Sequence, residues 1–228
     1  MSVDWMLDET AHAGPEHLDP AFVAGYDRKQ GFPSADADLA ALRERGALGP
    51  TVVDLAAGTG RFALAAAAHC DRVVAVDVSP AMQAHLRAVA PPNVEVVAAG
   101  FLSYEHTGAP ADAVHTRNGL HQLPDFWKGI ALHRIARILR PGGVLRLHDL
   151  IYDFAPAEAA GVFEDWFAGA ATDPAAGYTA EDYAIHIRTE HSTYRRVLEV
   201  LLDEAGFDVA DAEFGGRLFG AYTCVRRP

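Results

Sequence analysis

The feature that most constrains this fold is a strand that breaks into a glycine turn, restarts as a helix and returns as a second strand. Thr51-Val52-Val53-Asp54-Leu55 is a short β-branched run. Ala56-Ala57-Gly58-Thr59-Gly60 turns the chain, and residues 61–69 read as helix. Arg72-Val73-Val74-Ala75-Val76-Asp77 is a second buried strand, and Ser79-Pro80 opens the next helix as an N-cap followed by Pro at the first helical position. Met82, Leu86 and Val89 recur on that helix at helical spacing. Val94-Glu95-Val96-Val97 and residues 112–116 supply third and fourth strands. From about Phe126, residues Trp127, Ile130, Ala131, Ile135, Ile138 and Leu139 share one helix face, and Pro141-Gly142-Gly143 is expected to stop it. Val144-Leu145-Arg146-Leu147-His148 is a fifth strand. Strands alternating with helices imply right-handed crossovers and a parallel sheet covered on both faces.

The ending breaks the alternation. Tyr194, Val197, Leu198, Leu201, Leu202 and Ala205 form an amphipathic stripe closed by Gly206. Residues 207–214 and 219–225 then read as two strands around Gly215-Gly216, too close in sequence to be anything but antiparallel. Between the fifth strand and the last helix lies a stretch rich in aromatics (Tyr152, Phe154, Phe163, Trp166, Phe167, Tyr178 and Tyr183). It is expected to be a helical insertion over the edge of the sheet where open α/β folds bind ligands. Gly14-Pro15, Asp19-Pro20 and Gly31-Phe32-Pro33 divide the N-terminal segment into short helices. The division expected is one domain over 1–228: an N-terminal helical arm (1–48), a ligand-binding core (51–150), the insertion or lid (151–192), and the last helix with its hairpin (193–228).

Composition excludes several functions. The net charge is −12 with no run of Lys or Arg, the opposite of the basic stripe that phosphate contacts require, so no nucleic-acid partner is expected. Cys70 and Cys224 stand far apart with no CxxC spacing, which suits a reducing compartment and excludes a cysteine zinc site. The start, Met1-Ser2-Val3-Asp4-Trp5, has no basic region followed by an apolar run, and no stretch is long and apolar enough to span a bilayer. A cytoplasmic chain without a membrane partner is expected. The sequence leaves oligomeric state open, a homodimer included.

The glycine turn is the first candidate site. Gly58 and Gly60 let a ligand approach the main chain. Asp77, at the end of the second strand, can accept hydrogen bonds from two vicinal ribose hydroxyls. This pattern alone does not choose a cofactor: residues 58–63, Gly-Thr-Gly-Arg-Phe-Ala, also satisfy G-x-G-x-x-G/A of the nicotinamide enzymes, and glycine turns of this kind occur without any ligand.

Several further segments decide between cofactors. Asp54 stands where an acid closes the first strand ahead of a glycine turn, Asp77-Val78-Ser79-Pro80-Ala81-Met82 follows the second strand, and Asn118-Gly119-Leu120-His121-Gln122-Leu123-Pro124-Asp125 follows the fourth. Leu139-Arg140-Pro141-Gly142-Gly143-Val144-Leu145 precedes the fifth, and Ala205-Gly206-Phe207 leads into the hairpin. In these segments, from Val52 to Val225, the chain resembles the class I S-adenosylmethionine-dependent methyltransferases. The resemblance implies a doubly wound, seven-stranded, mostly parallel Rossmann-like sheet with a reversed last strand, S-adenosylmethionine as cofactor and S-adenosylhomocysteine as product. It implies that Asp54, Ala56, Gly58, Thr59, Gly60 and Asn118 line the cofactor, that Asp77 holds the ribose, and that Val78 and Met82 flank the adenine. Tyr26 fits the aromatic that in many relatives closes over the methionine end; the alternative is a ring packing the arm onto the core. The sequence departs from the family twice. Ala56 replaces the first glycine of the turn, and Gly100 stands where relatives carry an acid that reads the adenine amino group, leaving backbone groups and Phe101 for that task.

Methyl transfer is an in-line displacement in which alignment does most of the work, and a general base is needed only for a protonated nucleophile. His121 and His148 are the candidate bases, each weighed against a bracing role. Arg117, Tyr152, Trp166 and His191 are the candidate acceptor-binding residues. Strand parity puts His115 with Arg117, and Arg146 with His148, on one face of neighbouring strands. Two readings follow: Arg117 with His148 binds an acceptor carboxylate or phenolate, or the four form an internal network with acids such as Glu164, Asp165 or Asp125. The network is favoured because the insertion is rich in acids. No metal site is expected: the resemblance implies that metal-dependent, catechol-type relatives carry acids at the ends of the fourth and fifth strands with an Asn beside the second, whereas here Thr116 ends the fourth strand and Leu150 follows Asp149, and HxH and HExxH pairings are missing. The reading is transfer of a methyl to oxygen or nitrogen of a small, apolar or aromatic acceptor. The alternatives are a non-methylating reaction on the same fold, a catalytically silent subunit, and, less favoured, a nicotinamide-dependent oxidoreductase.

Overall fold

The computed structural model describes residues 5–228; residues 1–4, the start of the arm that was read for a leader segment, lie outside the described residues. The arm opens with two 3-10 turns, Thr10–His12 and Pro15–Leu18, then α1 (Pro20–Val23), α2 (Tyr26–Lys29) and α3 (Asp36–Glu44). The alternating part runs β1 (Thr51–Leu55), α4 (Arg61–Ala66), β2 (Arg72–Asp77), α5 (Pro80–Arg87), β3 (Val94–Ala98), β4 (Ala111–Arg117), α6 (Asp125–Ile138) and β5 (Leu139–Tyr152). The end of the chain is α7 (Ala159–Ala168), α8 (Ala180–Thr189), β6 (Thr193–Tyr194), α9 (Arg195–Glu204), β7 (Phe207–Gly215) and β8 (Phe219–Arg226).

The sheet has the order β3-β2-β1-β4-β5-β8-β7. The pairs from β3 to β5 are parallel, and β8 is antiparallel to both β5 and β7. This is the expected doubly wound sheet with a reversed last strand, plus one strand: the two-residue β6 pairs with the end of β5. Alternation along the strands divides the core. Val53, Leu55, Val74, Val76 and Val114 face α6 and α9, whereas Val52, Val73, Ala75 and Ala113 face α3, α4 and α5.

Three local expectations are corrected. α5 ends at Arg87, and Val89, which falls past that end just before Pro91 and Pro92, is 57% exposed. The buried stripe of α9 is Leu198, Leu202 and the following Ala205, spaced i, i+4, i+7; Val197 sits one step around the helix and is exposed. α6 stops at Ile138, before Pro141-Gly142-Gly143: Leu139 is already extended and pairs with Ala111, so the Pro-Gly-Gly step lies inside a fourteen-residue β5, where the register shifts. No helix among the described residues is long and apolar enough to cross a membrane.

Candidate active site

The carboxyl ends of β1, β2 and β4 open onto a cavity of about 690 Å³ that is roofed by the arm. The glycine turn shapes its floor. Gly58 has φ +55° and nothing within 4 Å of where a Cβ would stand, so the main chain is open to a ligand there. Gly60, at φ +86°, serves packing instead, since a Cβ would collide with Leu86 of α5. Asp77 is held on both oxygens: Gly58 N–H donates to Oδ2 (2.7 Å) and Ser79 N–H to Oδ1 (2.8 Å). Burial nevertheless raises its pKa, outweighing those two donors. Val78, Met82, Ala99 and Phe101 add apolar wall. Ala56 has φ +56°, the left-handed region that a side chain disfavours, and its methyl abuts Gly119 so closely that a Cβ there would collide.

The arm supplies what the core lacks. Gly100 leaves a cradle that is filled from outside: Glu9 Oε1 accepts from Leu102 N–H (3.0 Å), Oε2 accepts from the Ser103 hydroxyl (2.8 Å), and a Cβ at Gly100 would strike this carboxylate. Glu9 thus lines the cavity beside Val78 and Phe101, where the family's acid was missing from the sequence. Asp27 accepts from the Thr59 hydroxyl (2.6 Å) and pairs with Arg61 at 3.6 Å, latching α2 onto the glycine turn. Ser79 Oγ caps α5 and also donates to the His17 carbonyl at 2.7 Å.

A second cavity, of about 1020 Å³, adjoins the first and is lined by Phe22, Lys29, Leu150, Trp166, Tyr183 and Phe219 among others. Tyr26, His17 and Asn118 line both cavities. The Tyr26 hydroxyl is pushed up to about 12 by burial, so it stays protonated. Asn118 stands at φ +51°, and its Oδ1 is buried with no partner among the described residues, an acceptor waiting for a donor. Trp166 stacks on Tyr183 with ring centroids 4.1 Å apart and forms one wall.

The polar end of the second cavity holds His121, His186 and Glu190. Asp149 Oδ1 accepts from His121 Nδ1 at 2.5 Å, and Glu190 Oε2 lies 2.9 Å from His121 Nε2. His186 Nδ1 meets the same Glu190 oxygen at 2.5 Å, while its Nε2 contacts Ser192 Oγ at 2.8 Å. Burial would depress His121, but the carboxylates at its two nitrogens outweigh that and push it up to about 10.

The other sequence candidates scatter. His148 lines neither cavity. It shares the opposite face of the sheet with His115, Arg117 and Arg146, which pair across β4 and β5 in the register His115↔Arg146 and Arg117↔His148. Burial, then the neighbouring Arg117 guanidinium, lower its pKa to about 4. The acid at the centre of this cluster is Asp38 of α3, not an acid of the insertion as expected. Asp38 pairs with Arg146 Nε at 2.8 Å, Arg117 at 3.3 Å and His115 Nε2 at 3.4 Å; Asp54 accepts from His115 Nδ1 at 2.7 Å. The basic strand face is thus an internal network. Arg117 borders the first cavity with its Nε unpaired, and does not line the second. Asp54 and Thr59 line a smaller recess of about 510 Å³ behind the turn. Tyr152 packs with Phe154, Phe163 and Tyr194 in a satellite core and lines neither cavity. His191 contributes backbone: its N–H donates to the His121 carbonyl (2.8 Å), and its ring tilts against His12.

Glu9 and His186 are residues the sequence reading missed. Gly100 at a position built for an acid was the signal for the first. His186 and Glu190, one helical turn apart, were the signal for the second, but their meeting with His121 across the fold was not legible.

Known proteins share the sequence pattern of the core and the fold. A family model described as a methyltransferase domain matches residues 52–143. Magnesium protoporphyrin IX methyltransferase from Synechocystis PCC 6803, solved with S-adenosylmethionine bound, superposes with a TM-score of 0.64 at 15% identity, covering 98% of this chain and 100% of that one. An S-adenosylmethionine-dependent methyltransferase from Mesorhizobium loti gives 0.60 at 19% identity, over 83% and 99% of the two chains. The [4+2]-cyclase SpnF gives 0.60 at 15% identity, over 81% and 80%. Residues 52–143 thus form a methyltransferase domain, and the chain as a whole has the Rossmann-like fold of these S-adenosylmethionine-dependent methyltransferases.

Proposed function

We propose that the first cavity holds S-adenosylmethionine, the second holds a small apolar or aromatic acceptor, and a methyl passes between them at Tyr26 and Asn118 to an oxygen or nitrogen. The observation that carries this reading is the pair of adjoining cavities that share Tyr26, His17 and Asn118. Bound there, the cofactor supplies an electrophilic methyl on a sulfonium leaving group. The residues suit it: Asp77 offers a fixed carboxylate to the ribose, Val78, Met82 and Phe101 suit the adenine faces, and Glu9 replaces the missing acid at the adenine edge. The unpartnered Asn118 Oδ1 and Arg117 Nε suit the ammonium and carboxylate of the methionine end.

On the acceptor side, Trp166, Tyr183, Phe22 and Phe219 favour an apolar or aromatic body. His121, His186 and Glu190 direct its polar group to one end. Of the two candidate bases only His121 faces the acceptor, and both its nitrogens are already engaged, so holding acceptor and methyl aligned carries the rate.

The test is an acceptor screen with S-adenosylmethionine labelled in the methyl group, using phenols, hydroxylated aromatics and amines. Label transferred to an acceptor, with a raised KM in Trp166→Ala, supports the reading. S-adenosylmethionine binding with conversion of an acceptor but no label transferred contradicts it and favours a non-methylating reaction on this fold.

A further inference from the structure

We propose that His121, His186 and Glu190 form a binding site for one divalent transition-metal ion at the polar end of the second cavity. Their ligand atoms all lie within 4.8 Å of one another. The three come from separate places: the turn after β4, the body of α8 and the residue that ends it. Both rings aim one nitrogen at the same oxygen, Glu190 Oε2, from 2.9 Å and 2.5 Å. A tetrahedral ion with bonds near 2.0–2.1 Å holds its donors about 3.3 Å apart; both ring nitrogens lie nearer than that to Glu190 Oε2, so the carboxylate would shift outward to admit the ion.

The outer partners form an independent second observation. A metal-binding histidine is normally fixed through its other ring nitrogen, by a carboxylate or a comparable group. His121 Nδ1 is fixed by Asp149, which is itself anchored by the N–H groups of His121 (3.1 Å) and Leu150 (2.7 Å). His186 Nε2 is fixed by Ser192 Oγ. Each ring therefore presents its remaining nitrogen inward. Side-chain exposures of 7%, 12% and 17% for His121, His186 and Glu190 make the site sheltered but open to the cavity. Gln122 Nε2 stands 3.1 Å from His121 Nε2, so its amide turns its oxygen inward or moves aside when that nitrogen is given to the ion. Metal ligands bind in their deprotonated forms, so ion binding releases protons.

Two nitrogens and one carboxylate suit zinc, cobalt(II) or iron(II) over magnesium or calcium, which prefer all-oxygen shells. The remaining coordination positions face the cavity assigned above to the acceptor. On that reading, the ion would take an acceptor hydroxyl, alone or chelated beside a carbonyl or second hydroxyl, as its oxygen ligand.

The test uses the full chain, free of any histidine tag and stripped with a chelator, titrated with Co²⁺ by visible absorption and with Zn²⁺ by calorimetry. One ion per chain is expected, with the d–d bands of a low-coordinate cobalt site and proton release that scales with the ionisation heat of the buffer. His186→Ala and Glu190→Gln should weaken binding by at least tenfold, and Asp149→Asn by about 10–100-fold. S-adenosylhomocysteine affinity, measured on the same samples, should be unchanged in His186→Ala, which also controls for folding. Failure to bind one ion, or equal affinity in His186→Ala and wild type, overturns the metal site. Loss of S-adenosylhomocysteine binding with the metal retained would overturn the methyltransferase reading and leave the metal site standing.

Discussion

Removing the Asp38 carboxylate tests whether the basic face of β4 and β5 is held from the arm. Asp38 is 2% exposed and meets Arg146, Arg117 and His115 within 3.4 Å. In Asp38→Ala, Arg146 keeps the Thr223 hydroxyl at 3.0 Å and the exposed Glu213 at 3.5 Å, but its buried charge loses its main partner. Breaking a buried pair from one side costs about 3–5 kcal/mol. The retained contacts point to the lower end. For a chain of this size each kcal/mol moves Tm by roughly 2–4 °C, so a drop of about 6–12 °C is expected. The deficit should also depend on pH. His115 and Arg146 lower the pKa of Asp38, so its contribution is present above the ordinary carboxylate range and is lost on acidification. Asp54 and Asp38 raise His115 against its burial, so its contribution is full below about pH 6.5 and is lost as pH rises through the raised value. The gap between wild type and Asp38→Ala, measured by denaturant titration, should therefore be widest between about pH 4 and 6.5. A gap under about 1 kcal/mol, or one that widens steadily towards alkaline pH, would refute this account of the network.

The remaining expectations concern single residues. His148 is held neutral down to about pH 4, so wild type should lose up to about 3 kcal/mol as pH falls from 6.5 to 4, and His148→Gln should flatten that loss in acid urea titrations. Ala56→Gly relieves a left-handed alanine and should raise stability by up to about 1 kcal/mol, seen as a small rise in Tm; a fall would show that its methyl packs more usefully against Gly119 than the strain costs. Glu9→Ala should weaken S-adenosylhomocysteine about tenfold or more by calorimetry while Tm changes little, as expected for a charged hydrogen-bond partner on the arm.

The extent to which this protein is legible in its sequence follows the range of the interactions. Strand parity grouped His115, Arg117, Arg146 and His148 on one face of neighbouring strands, because the two-residue period of a strand is local and the neighbouring order followed from the family resemblance; the cross-strand register came only with the structure. Their acid was sought in the insertion, yet Asp38 comes from α3, more than seventy residues before β4, through a packing that no local pattern marks. The aromatics of the insertion were read as one group, but they divide: Trp166 and Tyr183 border the cavity, whereas Tyr152, Phe154 and Phe163 close a satellite core. Val89 and Val197 fitted helical stripes but lie outside the buried arcs, since a short helix buries only the residues its neighbours cover. Gly100 was read as a lost contact; the arm fills its cradle with Glu9, a substitution across ninety residues of sequence.

The proposed cofactor site is the cavity built on Gly58 and Asp77. Calorimetric titration of the purified chain with S-adenosylhomocysteine, S-adenosylmethionine and NAD, repeated on Asp77→Ala, tests it most directly. Micromolar binding of both adenosyl ligands at one site per chain is expected, with a loss of at least tenfold in the variant and no binding of NAD. Binding of NAD in their place, equal affinity in Asp77→Ala, or no adenosyl ligand bound to the folded wild type would contradict it.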